Sequence, residues 1–188
     1  LIKAALEARR ERNHIPVSEY FAICRDHRIT REDDQLLLSG YLHDLGIILH
    51  FQRDPSLAST IIVNPVWATK GVYQLLSDTT VERNGGRFSR AWLDEHWAAQ
   101  GYDFEERGKL LALMLKDNFE LCYKLADAHG EAYLSPQLLP AIQPPFAWDE
   151  RDNLRFRFQY PFLPTGILSR LIVRLSDFIY HEDGRDLI

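Results

Sequence analysis

"GYLHDLGIILHFQRD", residues 40–54, changes its hydrophobic period in the middle. Up to Gly46 the apolar residues recur at three- and four-residue spacing, the mark of a helix face; after it "IILHF" brings β-branched and aromatic residues at period two, the mark of a strand. Glycine at the junction supplies the left-handed backbone that ends a helix without a Cβ penalty. An amphipathic helix therefore runs directly into a strand.

Working outward, "ITREDDQLLLSGYLHDLG" offers Thr30 as an N-cap with Asp33 three residues on, and Leu37, Leu38, Tyr41, Leu42 and Leu45 are expected to share one buried face. Before it, "IPVSEYFAIC" offers Ser18 as the cap of a short helix. Earlier still, "LIKAALEARRERN" puts Ile2, Ala5 and Leu6 on a helical stripe that stops at Asn13. This opening has no methionine and reads as cut from something longer. After the junction, the polar "QRDPSLAS" makes a loop and "TIIVN" a second strand. Asn64 and Pro65 then form an N-cap and first-turn pair that opens "PVWATKGVYQLL". Helix, helix, strand, loop, strand, helix is the plan of a winged helix, with the hairpin as its wing.

The plan returns once. Ser89 caps "RAWLDEHWAAQ", which ends at Gly101, and Asp103 with Glu106 starts "FEERGKLLALMLKDN", where Asn118 is expected to end the helix as Gly46 did. "FELCYKL", the turn "ADAHG" and "EAYLS" read as a hairpin, and Ser135 with Pro136 opens a short helix. A repeat of about 70 residues is too long for a solenoid unit and fits tandem subdomains. Pro140, Pro144 and Pro145 mark a boundary. Beyond it "NLRFRFQY" alternates as a half-buried strand, with Leu154, Phe156, Phe158 and Tyr160 on one face. "PFLPTGILSRLIVRLSDFIY" follows as a helix after Pro164 and Thr165, its apolar side made of Ile167, Leu168, Leu171, Ile172, Leu175, Phe178 and Ile179. "GRDLI" begins another strand. The expected fold class is α+β and helix-rich: winged-helix-like subdomains at 1–78 and 79–145, then the incomplete start of a β-rich subdomain at 146–188.

Composition narrows the function. The chain of 188 residues is 46% apolar with a net charge of -5, which suits a folded domain and gives no long-range attraction to phosphate or anionic lipid. Cys24 and Cys122 lie in apolar or strand-like segments and read as buried thiols of a reducing, cytoplasmic compartment. No apolar run approaches the roughly 18 residues of a membrane span, and no signal-peptide pattern opens the chain.

Phosphate loops, dinucleotide turns, paired zinc-ligand motifs and nucleophile elbows do not occur. His43 and His50 fall on different elements, which disfavours a shared metal. Asp94, Glu95 and His96 are consecutive on a helix and point apart, so they do not form an acid–base cluster. Trp67, Trp92 and Trp97 fall on helical stripes and read as core, whereas Trp148 is kept as a candidate contact residue. A DNA-reading helix supplies cations. Here the second helix of the first copy carries Glu32, Asp33, Asp34 and Asp44 against Arg31. Its counterpart sets Glu105, Glu106 and Asp117 against Arg107, Lys109 and Lys116. A tandem winged-helix nucleic-acid-binding regulator is thus the alternative reading, disfavoured by charge, and a small hydrolase lacks a polar cluster.

"YLHDLGIILHFQRDPSLASTIIVNPVWATKGVYQLL" together with "YPFLPTGILSRLIVRLSDFI" resembles the COR domain of Roco proteins, the module that follows the Roc GTPase domain and is shared with leucine-rich repeat kinases. The resemblance rests on leucine-histidine-acid-x-Gly before a strand, asparagine-proline-x-tryptophan after the wing, and proline-x-Gly-x-x-x-Arg in the last helix. It implies a non-catalytic, cytoplasmic signalling module that packs on the Roc GTPase domain of the same polypeptide and couples the nucleotide cycle to dimerisation through the C-terminal COR subdomain. No cofactor is expected in the chain itself; GTP or GDP and Mg belong to the adjacent GTPase domain of the parent. Carried over residue by residue, the resemblance implies Tyr160, Phe162 and Leu163 as contacts to that domain, with Arg170 and Arg174 pairing with acids across the interface. Leu42, Leu45 and Trp67 match motifs as core residues.

Overall fold

The computed structural model describes residues 1–125, 130–140, 151, 157–164, 166–182 and 185–187. Among them the chain is helix-rich α+β with three small antiparallel sheets. In order it forms α1 (Ile2–Glu7), β1 (His14–Pro16), α2 (Val17–Asp26), α3 (Glu32–Asp44), β2 (Thr60–Ile62), α4 (Pro65–Leu76), α5 (Thr79–Arg83), β3 (Arg87–Ser89), α6 (Arg90–Ala99) and α7 (Phe104–Met114). Then follow β4 (Tyr123–Lys124), β5 (Ala132–Leu134), α8 (Ile167–Arg174), β6 (Tyr180–Glu182) and β7 (Arg185–Leu187), with single 3-10 turns at Arg10–Arg12, Pro136–Leu138 and Ser176–Phe178. No helix among the described residues is long and apolar enough to cross a membrane.

The junction that opened the sequence folds as its glycine requires. Gly46 has φ 65°, its N–H donates to His43 O at 2.8 Å, and Ile47 N–H donates to Leu42 O at 3.0 Å, so the last turn of α3 is closed by two bonds, the second of which spans the left-handed glycine. The strand beyond it is shorter than its period predicts. Residues 47–51 contribute one bridge, Leu49 to Ile62, and β2 finds its main partner in β1, in register His14↔Ile62, Ile15↔Ile61, Pro16↔Thr60. An N-terminal strand thus replaces most of the expected wing hairpin. The second half repeats the order and the pairing, β5 lying between β3 and β4.

Five helix starts show how capping signals succeed or fail. Asn64 accepts from Trp67 N at 3.3 Å with Pro65 in the first turn, Ser89 accepts from Trp92 N at 3.1 Å, and Asp103 and Glu106 form a reciprocal capping box at 2.8 and 3.1 Å. Neither Ser18 nor Thr30 caps anything. α2 begins two residues earlier than a Ser18 cap would start it, at Val17 behind Pro16, because β1 fixes the entry, and α3 begins at Glu32 behind Arg31 with no side-chain cap. Asn118 also departs from expectation: α7 ends at Leu115 in an extended conformation, and the Asn118 amide donates to Asp54 Oδ2 at 2.6 Å and Ala112 O at 2.8 Å.

The largest correction concerns α3. Its buried residues are Gln35, Ser39 and Leu42, with Leu38 partly covered, whereas Leu37, Tyr41 and Leu45 are exposed. Two stripes of α3 satisfy helical spacing, and the one that turns inward is the more polar. It is tolerated because every group on it finds a partner. Gln35 Nε2 donates to Ile29 O at 2.7 Å, and Tyr20 donates to Gln35 O at 2.9 Å. His50 Nε2 lies 3.1 Å from Ala58 O, which only accepts, so this nitrogen carries the proton; Ser39 Oγ, with one proton to give, lies 2.8 Å from both His50 Nδ1 and Leu36 O. Gln52 Nε2 closes the network on Leu36 O and Ser39 Oγ, both at 3.0 Å.

One apolar cluster runs from Leu57, Ile62, Trp67, Val72 and Leu75 to Leu93, Trp97, Leu110, Leu113 and Tyr133, so α4 packs into the same core as α6 and α7. Gly71 lets α4 approach α7, since a Cβ there would meet Leu110, and its carbonyl accepts from Trp97 Nε1 at 3.0 Å. A second cluster holds Leu6, Ile15, Tyr20, Ile23, Cys24, Leu42 and Ile61. Both cysteines are buried free thiols, and burial raises the pKa of each above its ordinary value. The expected turn at 126–129, Pro144, Pro145, Trp148, Leu154, Phe156 and Thr165 lie outside the described residues. Residues 157–160, the end of the expected strand "NLRFRFQY", have no strand pairing, and β7 forms in "GRDLI".

Candidate docking surface

Residues 157–164 have no regular secondary structure, and Phe158, Tyr160, Phe162 and Leu163 are all exposed, Phe162 at 77%. Gly166, at φ 89°, turns this segment into α8. A helix with Leu168, Leu171 and Leu175 along one side was expected to bury that side. In the structure only Val173 is fully covered, against Tyr123, Leu125 and Leu134, with Ile172 and Ile179 at the edge. Leu168, Leu171, Leu175 and Phe178 face outward, Phe178 at 82%. Together with 157–164 they make a stretch of exposed apolar side chains of the kind that marks a protein contact.

Charged groups fasten α8 from the other side. Arg174 Nε donates to Glu120 Oε1 at 2.6 Å, and Arg170 Nε lies 3.9 Å from Glu120 Oε2. Glu120 holds this place in a left-handed conformation, φ 57°, with a side chain only 12% exposed, and its carboxylate pushes the Arg174 guanidinium further above its already high pKa. Lys116 pairs with Asp177 at 2.7 Å. Of the five residues named from the sequence, three form the exposed apolar segment and two reach an acid within the chain itself. Glu120 carried no signal in the sequence, because its role depends on a turn that brings residues 54 positions apart together.

The remaining candidates resolve into packing. Asp94 pairs with Arg90 at 2.8 Å, His96 stacks on Trp92 and lies 3.7 Å from Asp78, and Glu95 is exposed, so the three do not converge. Trp67 and Trp97 are core and Trp92 packs at its edge. Both ring nitrogens of His50 are spent on protein partners, and its backbone N–H donates to His43 Nδ1 at 3.1 Å. A depression of about 390 Å³ lies beside β3, bordered by Thr80, Val81, Asn84, Phe88 and Trp92, and no acid, histidine or cysteine lines it. At the start of α3 Arg31 is already within 3.7 and 4.0 Å of Asp33 and Asp34.

Fold and surface thus define a helix-rich α+β module with an apolar contact face. The chain belongs to the COR family of Roco proteins: the family model "C-terminal of Roc, COR-A domain" matches residues 1–139, and "C-terminal of Roc, COR-B domain" matches residues 151–186. COR is a non-catalytic module that sits beside the Roc GTPase domain. A Roc-COR-CHAT protease from an unknown prokaryotic organism is 31% identical over 181 residues, covering 93% of this chain and 16% of that protein. The probable serine/threonine-protein kinase pats1 of Dictyostelium discoideum is 26% identical over 175 residues, covering 87% of this chain and 5% of that protein. A solved structure described as Methanosarcina barkeri Roco2 RocCORdC bound to GDP matches with a TM-score of 0.55 and 32% identity, over 73% of this chain and 43% of that one. The chain spans less than a fifth of these two curated relatives.

Proposed function

We propose that this COR module packs on the Roc GTPase domain of its own polypeptide through Tyr160, Phe162 and Leu163, and passes the state of the nucleotide to dimerisation and signalling. The observation that carries the reading is the exposed apolar segment 157–164 leading into α8, which a soluble monomer has no reason to leave uncovered. GTP or GDP and Mg act in the neighbouring domain, and this chain contributes no cofactor ligand. The cytoplasmic setting and tandem winged-helix subdomains at 1–78 and 79–145 belong to the same proposal, as does a C-terminal unit from 146 onward that takes part in a homodimer.

Coupling is mechanical. Switch segments of a GTPase move between nucleotide states, and a neighbour packed on them changes its docking angle if its contacts differ between the two. Arg170 and Arg174 have a part in this through Glu120: an acid offered by the GTPase domain in one state competes with Glu120 and shifts α8. The test is calorimetric titration of this chain with the Roc domain of its parent, loaded in turn with GDP and a GTP analogue. Saturable binding with different affinities gives the coupling energy. Absence of binding in both states by the folded chain overturns the proposal.

A further inference from the structure

We propose that the outward face of α3 is a second docking site, and that its occupant is an amphipathic helix whose apolar stripe is bordered by lysine or arginine. The proposal does not depend on the GTPase reading, because it concerns a different element and different residues.

The first observation is the inverted amphipathicity of α3. Gln35 and Ser39 face inward within a satisfied hydrogen-bond network, while Leu37, Tyr41 and Leu45 face solvent, Leu37 at 76%. A helix placed only to support its own domain keeps its leucines inside. These three residues follow one another at four-residue intervals and therefore line a single ridge, about 12 Å long at 1.5 Å per residue, the length over which two crossing helices touch. The ridge is held rigidly. Its far end is closed by the Gly46 turn, and its back is fixed by Tyr20, Ile29 and His50.

Charge selects the occupant. Asp34 precedes Leu37 by three positions and Asp44 follows Tyr41 by three, so the two carboxylates bracket the ridge on its own face, with Glu32 and Asp33 beside the first. All four are exposed, Asp33 with 87% of its side chain in solvent. Arg31 answers Asp33 and Asp34 only partly, at 3.7 and 4.0 Å. An apolar ridge with acidic ends attracts a helix with basic flanks and repels an acidic one. The same acids repel anionic lipid and nucleic-acid phosphate, which removes a membrane surface or a duplex as the occupant.

The experiment uses two 18-residue model helices with identical leucine positions, one with lysine and one with glutamate on the polar face. Fluorescence anisotropy against the 188-residue chain is expected to show saturable one-to-one binding of the leucine/lysine helix and at least tenfold weaker binding of the leucine/glutamate helix. The triple substitution Leu37→Ser, Tyr41→Ser, Leu45→Ser should reduce affinity at least tenfold with an unchanged melting temperature, and Tyr41→Ser alone serves if the triple variant fails to fold. Asp34→Asn with Asp44→Asn should weaken binding several-fold and flatten its salt dependence. Equal binding of both helices, or unchanged affinity after Tyr41→Ser and the triple substitution, overturns the proposal. So does sedimentation showing that the ridge residues drive self-association while the basic helix fails to bind, since a second copy is then the occupant.

Discussion

Replacing Gly86 by alanine tests how tightly the second sheet is closed against the turn that follows it. Gly86 lies at φ 81°, accepts from Ser135 N at 2.9 Å and donates to Val81 O at 2.9 Å; a Cβ built on it runs into the Ser135 carbonyl oxygen and comes within 3.3 Å of Leu138 Cβ. Two costs add. A left-handed conformation without glycine costs about 1–2 kcal/mol, and the overlap, which involves backbone and cannot be relieved by a rotamer change, adds about 1–3 kcal/mol. The sum of about 2–5 kcal/mol corresponds to a fall in Tm of about 4–20 °C at roughly 2–4 °C per kcal/mol for a chain of this size. Gly46 is the internal control, because at φ 65° an added Cβ meets nothing within 4 Å. Gly46→Ala carries only the first cost and should lower Tm by about 2–8 °C. Thermal unfolding of both variants by circular dichroism, with urea titration as a second measure, separates the terms. Equal losses in the two variants would refute the claim that the approach of Gly86 to Ser135 is tight.

Three further outcomes are expected. Phe162→Ala should weaken binding of the Roc domain by about 2 kcal/mol, roughly thirtyfold in Kd, if the side chain is a contact hot spot, while its exposure keeps the change in stability within about 0.5 kcal/mol. An unchanged Kd with a lower Tm would assign it to folding instead. His50 is buried neutral, chiefly by desolvation, and its pKa is depressed below the imidazole value of about 6.5. His14 is depressed by burial and then by Lys109. Protons bind the unfolded chain first, so stability is full above about pH 6.5 and falls as pH drops through the folded values. Urea midpoints at several pH values between 7.5 and 5 should show this decline, and a His50→Gln variant should show a shallower one. Glu120→Gln should speed hydrogen exchange in α8 while leaving α4 and α7 as protected as before; equal protection of α8 would mean that the ion pairs to Arg170 and Arg174 do not hold it.

Local chemistry was legible wherever a residue acts on its immediate neighbours. Gly46, Asn64 with Pro65, Ser89, and Asp103 with Glu106 each satisfy backbone groups within a few positions, so their spacing alone announces them. The buried thiols, the tryptophans of the core and the absence of convergent acids on α6 follow from the same short-range periodicity. Family membership was legible for a related reason, since its motifs sit at these helix ends and junctions. Tertiary packing decided the rest. Which of two stripes on α3 turns inward depends on whether Tyr20, Ile29 and His50, the last held in turn by Ala58, arrive to partner Gln35 and Ser39. That β2 takes β1 as its main neighbour is likewise a long-range choice, as is the grip of Glu120 on α8. Hydrophobic periodicity determines that a helix or strand forms and which faces it offers; only the neighbours that arrive on folding determine which face is covered and which is left for a partner.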